Sequence, residues 1–450
     1  MKINREIFKA YDIRGIYPEQ LNEEISVIIV KSLVEHFNPG VILISKDTRK
    51  SSPSLFRAII KIIPSHIKTF YIELATTPLL YFWAGKLNVD LSIMITASHN
   101  PRQYNGYKIS GKNVYPISGQ EIFEIIQEKK IEHDESKNKV CEKNNLQEIR
   151  DAITLYNKFL LEQIKRENFK KILHIAIDCA NGTSGIILTQ LLKELPIKAE
   201  FLCLQPDGNF PNHDPNPLIF ENIKHLSDFI KKENCDLGVA FDGDADRVIF
   251  LDENGKPVPS DLLIIYLAQI LKKTKNIEKV FIDTRSSQAV IEELEKIKLK
   301  VERIKAGHLF MRRKLNETQS CFAGELSGHF YYKDNYNADA AILTMLLVIE
   351  QLATENRKIS QIIKQYKKYE STGELSYTTA NKEVVLNQID KYFAHSRKEF
   401  IDGISIYEDD FYMNIRKSNT EDVVRVIIEA KSKNILEKIK AKIEQLICSI

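Results

Sequence analysis

The sequence predicts an α/β protein: three sequential mixed-sheet α/β domains followed by a smaller C-terminal α+β domain. Three observations carry this prediction. At 450 residues the chain is too long for one ordinary core and suits three or four domains of about 100 to 150 residues. Apolar runs of strand length alternate with amphipathic helical stretches through roughly the first three-quarters of the chain, the pattern of stacked βαβ units. From about Tyr366 the strand candidates crowd together before a terminal helix, which is an α+β pattern.

In chain order, residues 41–45, 67–72 and 91–96 read as strands with helices before and between them, giving a first domain over residues 1–146. The charged stretch 128–150, poor in large apolar residues, marks its boundary. A second series at 172–177, 199–203 and 237–241 gives a domain over 147–252, and a third at 280–283, 301–304 and 320–323 gives one over 253–365. In the last domain, 366–450, the strands expected are 407–415 and 423–430, and the closing helix is 435–447.

Hydrophobic residues at 43 % and charged residues at 28 % fit soluble folded domains and exclude an intrinsically disordered chain. Sixty-four Lys and Arg against sixty-one Asp and Glu leave a formal charge of +3, too small at this length to imply a nucleic-acid or membrane-surface partner. Any anion site is therefore local. The six cysteines, at 141, 179, 203, 235, 321 and 448, show no C-x-x-C pairing and read as buried thiols in mostly apolar runs. The first residues carry no signal-peptide pattern, and no run approaches the ~20 apolar residues of a membrane span. Cytoplasmic residence is the expectation.

Four short segments carry chemistry. Thr96-Ala97-Ser98-His99-Asn100-Pro101 follows an apolar strand, where the carboxyl end of a parallel strand opens onto a ligand crevice. Ser98 becomes an exposed hydroxyl there, although S-H-N-P alone is equally an ordinary turn. No G-x-S-x-G surrounds it, so it is not a serine-hydrolase signature. Just beyond, Asn105-Gly106-Tyr107-Lys108 reads as a tight turn presenting an amine beside the serine. Asp242-Gly243-Asp244-Ala245-Asp246-Arg247 places three carboxylates at alternate positions of a loop, a set suited to Mg²⁺ or Ca²⁺. An EF-hand shares that spacing and finds Glu253 at its twelfth position, but Arg247 stands at the sixth in place of glycine and a strand precedes the loop. A solvated acidic turn is the plain alternative.

Gly324-Glu325-Leu326-Ser327-Gly328-His329 frames a carboxylate, a hydroxyl and an imidazole between glycines, and Lys305-Ala306-Gly307-His308 offers two further donors after a strand. Arg416-Lys417-Ser418-Asn419-Thr420, with Arg425 beyond, makes a phosphate cradle, or solvated surface if it stands alone. In company these segments decide the reading. With Lys9-Ala10-Tyr11-Asp12-Ile13-Arg14-Gly15 and the stretch from Phe210 to Pro217, the ordered set resembles the α-D-phosphohexomutase superfamily at its phosphomannomutase/phosphoglucomutase branch, over nearly the whole chain.

The resemblance implies four domains around a central cleft, each supplying one loop, and a mutase acting on mannose and/or glucose phosphates through phosphoserine and a 1,6-bisphosphate. Carried over by position, Ser98 resembles the phosphorylated serine, and Asp242, Asp244 and Asp246 resemble Mg²⁺ ligands together with that serine. Arg247 resembles a residue near the phosphoserine. Glu325 and Ser327 resemble sugar-hydroxyl readers, and Tyr11, Lys305, Arg416, Ser418, Asn419 and Thr420 resemble contacts to the distal phosphate. Arg14, Lys108, His308 and His329 are cleft residues with acid/base or electrostatic roles. Two departures stand out: Ala245 where glycine is commoner, and Asp422 after Glu421 where the family often has proline. The expected partners are small-molecule hexose phosphates, with hexose 1,6-bisphosphate as activator, on a monomer or weak homo-oligomer. A phosphoglucosamine mutase and a catalytically silent sugar-phosphate sensor stay open as alternatives. Apolar Leu326 resembles the mannose/glucose branch more than the glucosamine branch, and retention of Ser98 with all three aspartates argues against the sensor.

Overall fold

A computed structural model of the chain describes residues 3–129, 145–318, 320–379, 381–418 and 422–448. Four sheets follow one another along it. The first orders its strands Ile13–Ile16, Tyr104–Gly111, Leu91–Ile95, Val41–Lys46, Lys68–Ile72 and Leu146–Glu148, with Pro116–Ile117 beside Tyr104–Gly111. Its centre is parallel, and Tyr104–Gly111 returns antiparallel to Leu91–Ile95. Every residue of Leu91–Ile95 is buried, as expected of a central strand covered on both faces. Helix Glu23–Phe37 shows how local sequence sets the bounds. Asn22 accepts from the Ile25 amide at 3.0 Å at its start, and Asn38 takes the left-handed conformation at its end.

The second sheet runs Val248–Leu251, Leu237–Phe241, His174–Asp178, Lys198–Leu202, and the third runs Lys300–Ile304, Lys279–Asp283, Phe322–Gly324, Phe330–Tyr332, Ala338–Asp339. Both mix parallel and antiparallel pairs. The fourth sheet is wholly antiparallel, in the order Glu370–Thr378, Val423–Ala430, Phe411–Lys417, Ile404–Tyr407, Arg397–Glu399, with helix Lys433–Cys448 last. The mixed-sheet α/β series and the α+β tail are thus present. Apolar side chains from the first three units, among them Leu79, Phe82, Leu188, Phe241 and Leu346, share one continuous core. The fourth unit closes its own core around Met413, Ile415, Val426 and Leu436.

Several expectations need correction. Strand Leu146–Glu148 pairs with Lys68–Ile72, so a division at 146/147 cuts a strand of the first sheet; all three residues are exposed and carry no apolar signal. The single strand expected over 407–415 is a hairpin, because Glu408, Asp409 and Asp410 form the turn between Ile404–Tyr407 and Phe411–Lys417. Strand Glu370–Thr378 lacked an apolar run and was not expected. Asn105 to Lys108 is no turn but part of strand Tyr104–Gly111. There Gly106 allows close approach: a Cβ on it would stand 1.9 Å from the Ile13 carbonyl oxygen. The thiols are not uniformly buried, since Cys203 is half-buried and Cys448 exposed, and Cys141 lies outside the described residues, as does most of the charged stretch 128–150.

Candidate active site

Strand Leu91–Ile95 delivers the chain to a turn in which Ser98 adopts φ 51°, a left-handed conformation costing a residue with a Cβ about 1–3 kcal/mol unless its surroundings fix it. Here they do. The Ser98 amide donates to Thr96 Oγ1 at 2.9 Å, and Thr96 Oγ1 donates to Asp47 Oδ2 at 2.8 Å. The buried Arg49 guanidinium donates to the carbonyls of Ser98 (2.8 Å), Asn100 (2.6 Å), Pro101 (2.8 Å) and Tyr104 (2.9 Å). Arg14, paired with Asp12 at 2.8 Å, donates to the Ala97 carbonyl at 3.2 Å and to Asn100 Oδ1 at 2.5 Å. Arg14 therefore shapes the serine loop.

The Asp242 loop joins two antiparallel strands, Leu237–Phe241 and Val248–Leu251, which disposes of the EF-hand. Its three carboxylates come within 4.8 Å of one another, all buried, and Ser98 Oγ donates to Asp242 Oδ2 at 2.7 Å. The other Asp242 oxygen accepts from the amides of Asp246 (3.1 Å) and Arg247 (3.2 Å). Lys108 Nζ supplies counter-charge, 2.6 Å from Asp244 Oδ2 and in contact with Asp246 Oδ2. Burial and the neighbouring Asp246 and Asp244 carboxylates push the Asp242 pKa well up, whereas Lys108 and His329 outweigh burial at Asp246 and bring its pKa well down. Asp244 Oδ1 and Asp246 Oδ1 are buried without a hydrogen-bond partner. Two orphaned oxygens beside an all-oxygen donor set fit a hard divalent cation.

Across from this cluster stands the loop after Phe322–Gly324. His329 Nε2 lies 3.4 Å from Asp246 Oδ1 and 3.2 Å from Arg247 Nε, and its Nδ1 lies 2.9 Å from Ser327 Oγ. Burial disfavours charge on His329, but Asp246 and Glu325 more than offset it and hold its pKa at about 9. Glu325, brought down to about 2 against its burial by His329 and Arg285, accepts from the Gly307 amide at 2.6 Å and from Tyr331 Oη at 2.5 Å. Tyr11 Oη donates to the Ala306 carbonyl at 2.9 Å. Its ring packs 5.6 Å from His308 and 5.8 Å from Phe310, over which Lys305 Nζ sits at 4.9 Å. Burial lowers the His308 pKa to about 3, so it is neutral.

The seam continues into the fourth unit. Arg285 pairs with Asp283 at 2.7 Å and reaches Glu325 and Glu374, each at 3.8 Å. Arg416 Nη2 lies 2.7 Å from Glu374 Oε1 and Arg425 Nη1 3.4 Å from Glu374 Oε2. Ser418 is buried beside them in sequence, whereas Asn419 and Thr420 lie outside the described residues. One polar seam thus crosses all four units from Ser98 to Arg416.

Family models for phosphoglucomutase/phosphomannomutase match in sequence: alpha/beta/alpha domain I at residues 5–136, domain II at 152–255, domain III at 259–369 and the C-terminal domain at 377–446. The chain is 35 % identical over 446 residues to a phosphomannomutase of Methanocaldococcus jannaschii, covering 99 % of this chain and 98 % of that protein. The chain belongs to the phosphoglucomutase/phosphomannomutase family. It is also 29 % identical to a phosphomannomutase/phosphoglucomutase of Pseudomonas aeruginosa, over 96 % of this chain and 94 % of that one. A crystal structure of a phosphoglucomutase/phosphomannomutase family protein from Burkholderia thailandensis superposes with TM-score 0.87 at 26 % identity, covering 99 % of this chain and 97 % of that one.

Membership explains one oddity. Ala245, where the family favours glycine, takes φ 54°, a conformation glycine adopts without penalty. The sequence reading also missed three groups of the seam, Arg49, Arg285 and Glu374. Arg49 and Arg285 share a legible signal, Asp-Thr-Arg at the end of a strand, at Asp47-Thr48-Arg49 and Asp283-Thr284-Arg285. In both, the Asp pairs with the Arg two residues on. Glu374 had none, because its strand carries no apolar pattern.

Proposed function

We propose that this chain is a phosphohexomutase that interconverts the 6-phosphate and the 1-phosphate of mannose or glucose through phosphorylated Ser98 and a hexose 1,6-bisphosphate. The observation that carries the reading is the Ser98 hydroxyl hydrogen-bonded at 2.7 Å to Asp242, inside a cluster of three carboxylates with unsatisfied oxygens. Asp242, Asp244 and Asp246 would hold Mg²⁺, which when bound neutralises charge on the transferring phosphoryl group.

The chain's own residues do the rest. The P–O bond to Ser98 breaks as a P–O bond to the sugar hydroxyl forms, and the proton lost by that hydroxyl is matched by one gained at Ser98 Oγ. His329, whose two nitrogens face Ser327 and Asp246 and whose protonated form Asp246 and Glu325 favour, acts as a proton donor in this reading. Lys108, fixed between two carboxylates, acts electrostatically, as do Arg247 and Arg14. Glu325 accepts from a sugar hydroxyl and Ser327 assists it. Arg416, with Ser418, Asn419, Thr420, Lys305, His308 and Tyr11, binds the distal phosphate. The bisphosphate then turns so that its other phosphate faces Ser98. The reading extends to four domains, to priming by hexose 1,6-bisphosphate, and to a monomer or weak homo-oligomer in the cytoplasm with only small-molecule partners. No helix among the described residues is long and apolar enough to cross a membrane.

Coupled assays with mannose, glucose and glucosamine 1-phosphates, alongside phosphopeptide mapping, test the proposal. Activity on mannose or glucose 1-phosphate with phosphate on Ser98 is expected. Full activity of Ser98→Ala without covalent phosphate elsewhere would overturn it.

A further inference from the structure

A second group of ligand atoms converges away from the cleft carboxylates, in the second unit. Asp178 ends strand His174–Asp178, Cys203 follows the adjacent strand Lys198–Leu202, His213 lies in the loop beyond, and His225 projects from helix Phe220–Glu233. A carboxylate oxygen, a sulfur and one nitrogen from each imidazole all lie within 4.8 Å of one another. Asp178 Oδ2 is 3.1 Å from His213 Nε2 and 3.2 Å from His225 Nε2, and His225 Nε2 is 3.8 Å from Cys203 Sγ. A tetrahedral zinc ion, with ~2.0–2.1 Å to nitrogen or oxygen and ~2.3 Å to sulfur, separates its ligands by roughly 3.3–3.6 Å. The observed separations bracket that.

Orientation separates a metal site from a plain ion-pair cluster. Asp178 is only 1 % exposed, and its Oδ2 faces both imidazoles at ion-pair distance; neither it nor buried His213 Nε2 has the geometry of a hydrogen bond. The two atoms are close but not aligned as donor and acceptor. The remaining atoms of these groups are already held: Asp178 Oδ1 accepts from the Ala180 amide at 2.8 Å, and His213 Nδ1 lies 2.8 Å from the Asp214 carbonyl oxygen. An Nδ1–H donated there fixes the ring with Nε2 toward Asp178 and Cys203, the arrangement that orients metal-binding histidines. An open cavity of about 640 Å³, lined by Cys203, His213 and His225 among others, gives solvent access.

We propose that Asp178, Cys203, His213 and His225 form a structural site for zinc(II) or a similarly borderline-soft divalent metal. On binding, the Cys203 thiol, and each imidazole protonated beside Asp178, gives its proton to solvent, and the sulfur joins two neutral imidazoles and one carboxylate, with no redox change. The site braces the active site from behind. The loop it ties down sets the Phe210 ring 5.2 Å from the Arg49 guanidinium, which clasps the Ser98 turn, and packs Pro215 so closely on Gly243 that a Cβ there would meet it at 3.3 Å. None of the four ligands takes part in the proposed phosphoryl transfer, so the site stands or falls independently of it.

The test uses the full chain, stripped of metal by a chelator and returned to Mg²⁺ buffer, then titrated with Co²⁺. One equivalent should develop a thiolate-to-cobalt charge-transfer band and the intense visible bands of a tetrahedral ion, and zinc should displace both. Cys203→Ser should lose the charge-transfer band while keeping the far-ultraviolet circular dichroism of the fold, and His225→Gln should lose the tetrahedral bands. Asp244→Asn, in the cleft, should retain both. Absence of the charge-transfer band in the unaltered protein, or its survival in Cys203→Ser, would overturn the assignment.

Discussion

The two ends of the polar seam are built in opposite ways. At the Ser98 end, three aspartates, Lys108 and the serine come from two units fused through one continuous core, and nearly every group is buried and already paired. At the Arg416 end, Arg285 of the third unit and Arg416 and Arg425 of the fourth converge on the Glu374 carboxylate, and the fourth unit has its own separate core. The first is an excess of anion awaiting a cation. The second gathers guanidinium groups around the Glu374 carboxylate, on a part of the molecule with an independent core. A bond-making centre gains from a rigid setting, whereas a distal anchor that must serve both orientations of a bisphosphate has less need of one.

The largest effect expected is at the reacting end. Ser98→Ala should remove covalent phosphate and reduce mutase turnover by several orders of magnitude, read by phosphopeptide mapping and a coupled assay. Asp244→Asn should lower kcat itself, on the order of a hundred-fold, at saturating substrate; an effect confined to KM would erase the distinction between the ends.

Lys108→Met sharpens the comparison through stability. Removing one partner of a buried pair costs about 3–5 kcal/mol, and Lys108 serves both Asp244 and Asp246. The variant should melt well below the unaltered protein in chelator, and Mg²⁺ should recover much of the loss. A melting temperature indifferent to Mg²⁺ would mean that the carboxylates do not bind it.

Smaller still is Arg416→Ala. A charge-assisted hydrogen bond is worth about 1.5–3 kcal/mol, which corresponds to a ten- to hundred-fold loss in kcat/KM, carried mainly by KM. Unchanged kcat/KM for every hexose phosphate would leave Arg416 with only its structural pairing to Glu374.

The smallest effect concerns how the fourth unit is joined. Glu429, on strand Val423–Ala430, accepts from the Gln288 amide at 2.9 Å, and burial with the nearby Asp261 raises its pKa from 4.5 to about 7. A raised carboxyl favours the protonated fold. Its stabilisation is complete below about pH 4.5 and is lost as the pH climbs to about 7. Glu429→Gln should flatten that part of the stability profile, measured by thermal melts across the range; an unaltered profile would place the dependence elsewhere.

Much of this was legible before folding. The alternation of apolar runs gave the three α/β units and the α+β tail, because buried strands and helix faces must be apolar. Ser98, the Asp242 loop and the 324–329 loop stood out because polar residues directly after buried strands have few structural uses. Glu374 did not stand out, since a lone charged residue on a chain with 28 % charged residues looks like surface until its partners are known. Lys108 was expected in a turn, whereas it lies in strand Tyr104–Gly111.

By itself, then, the sequence determined the local grammar: which runs are strands, which loops follow them, and which residues in those loops can carry charge or donate oxygen. Only the tertiary structure decided which loops meet. Ser98 and Asp242 are 144 residues apart and share a hydrogen bond; Lys108 reaches Asp244 across 136; Asp178, Cys203, His213 and His225 converge although no short spacing motif relates them. Long-range convergence depends on how whole sheets pack, and that packing is set by the summed fit of many apolar side chains, a quantity that no local stretch of sequence contains.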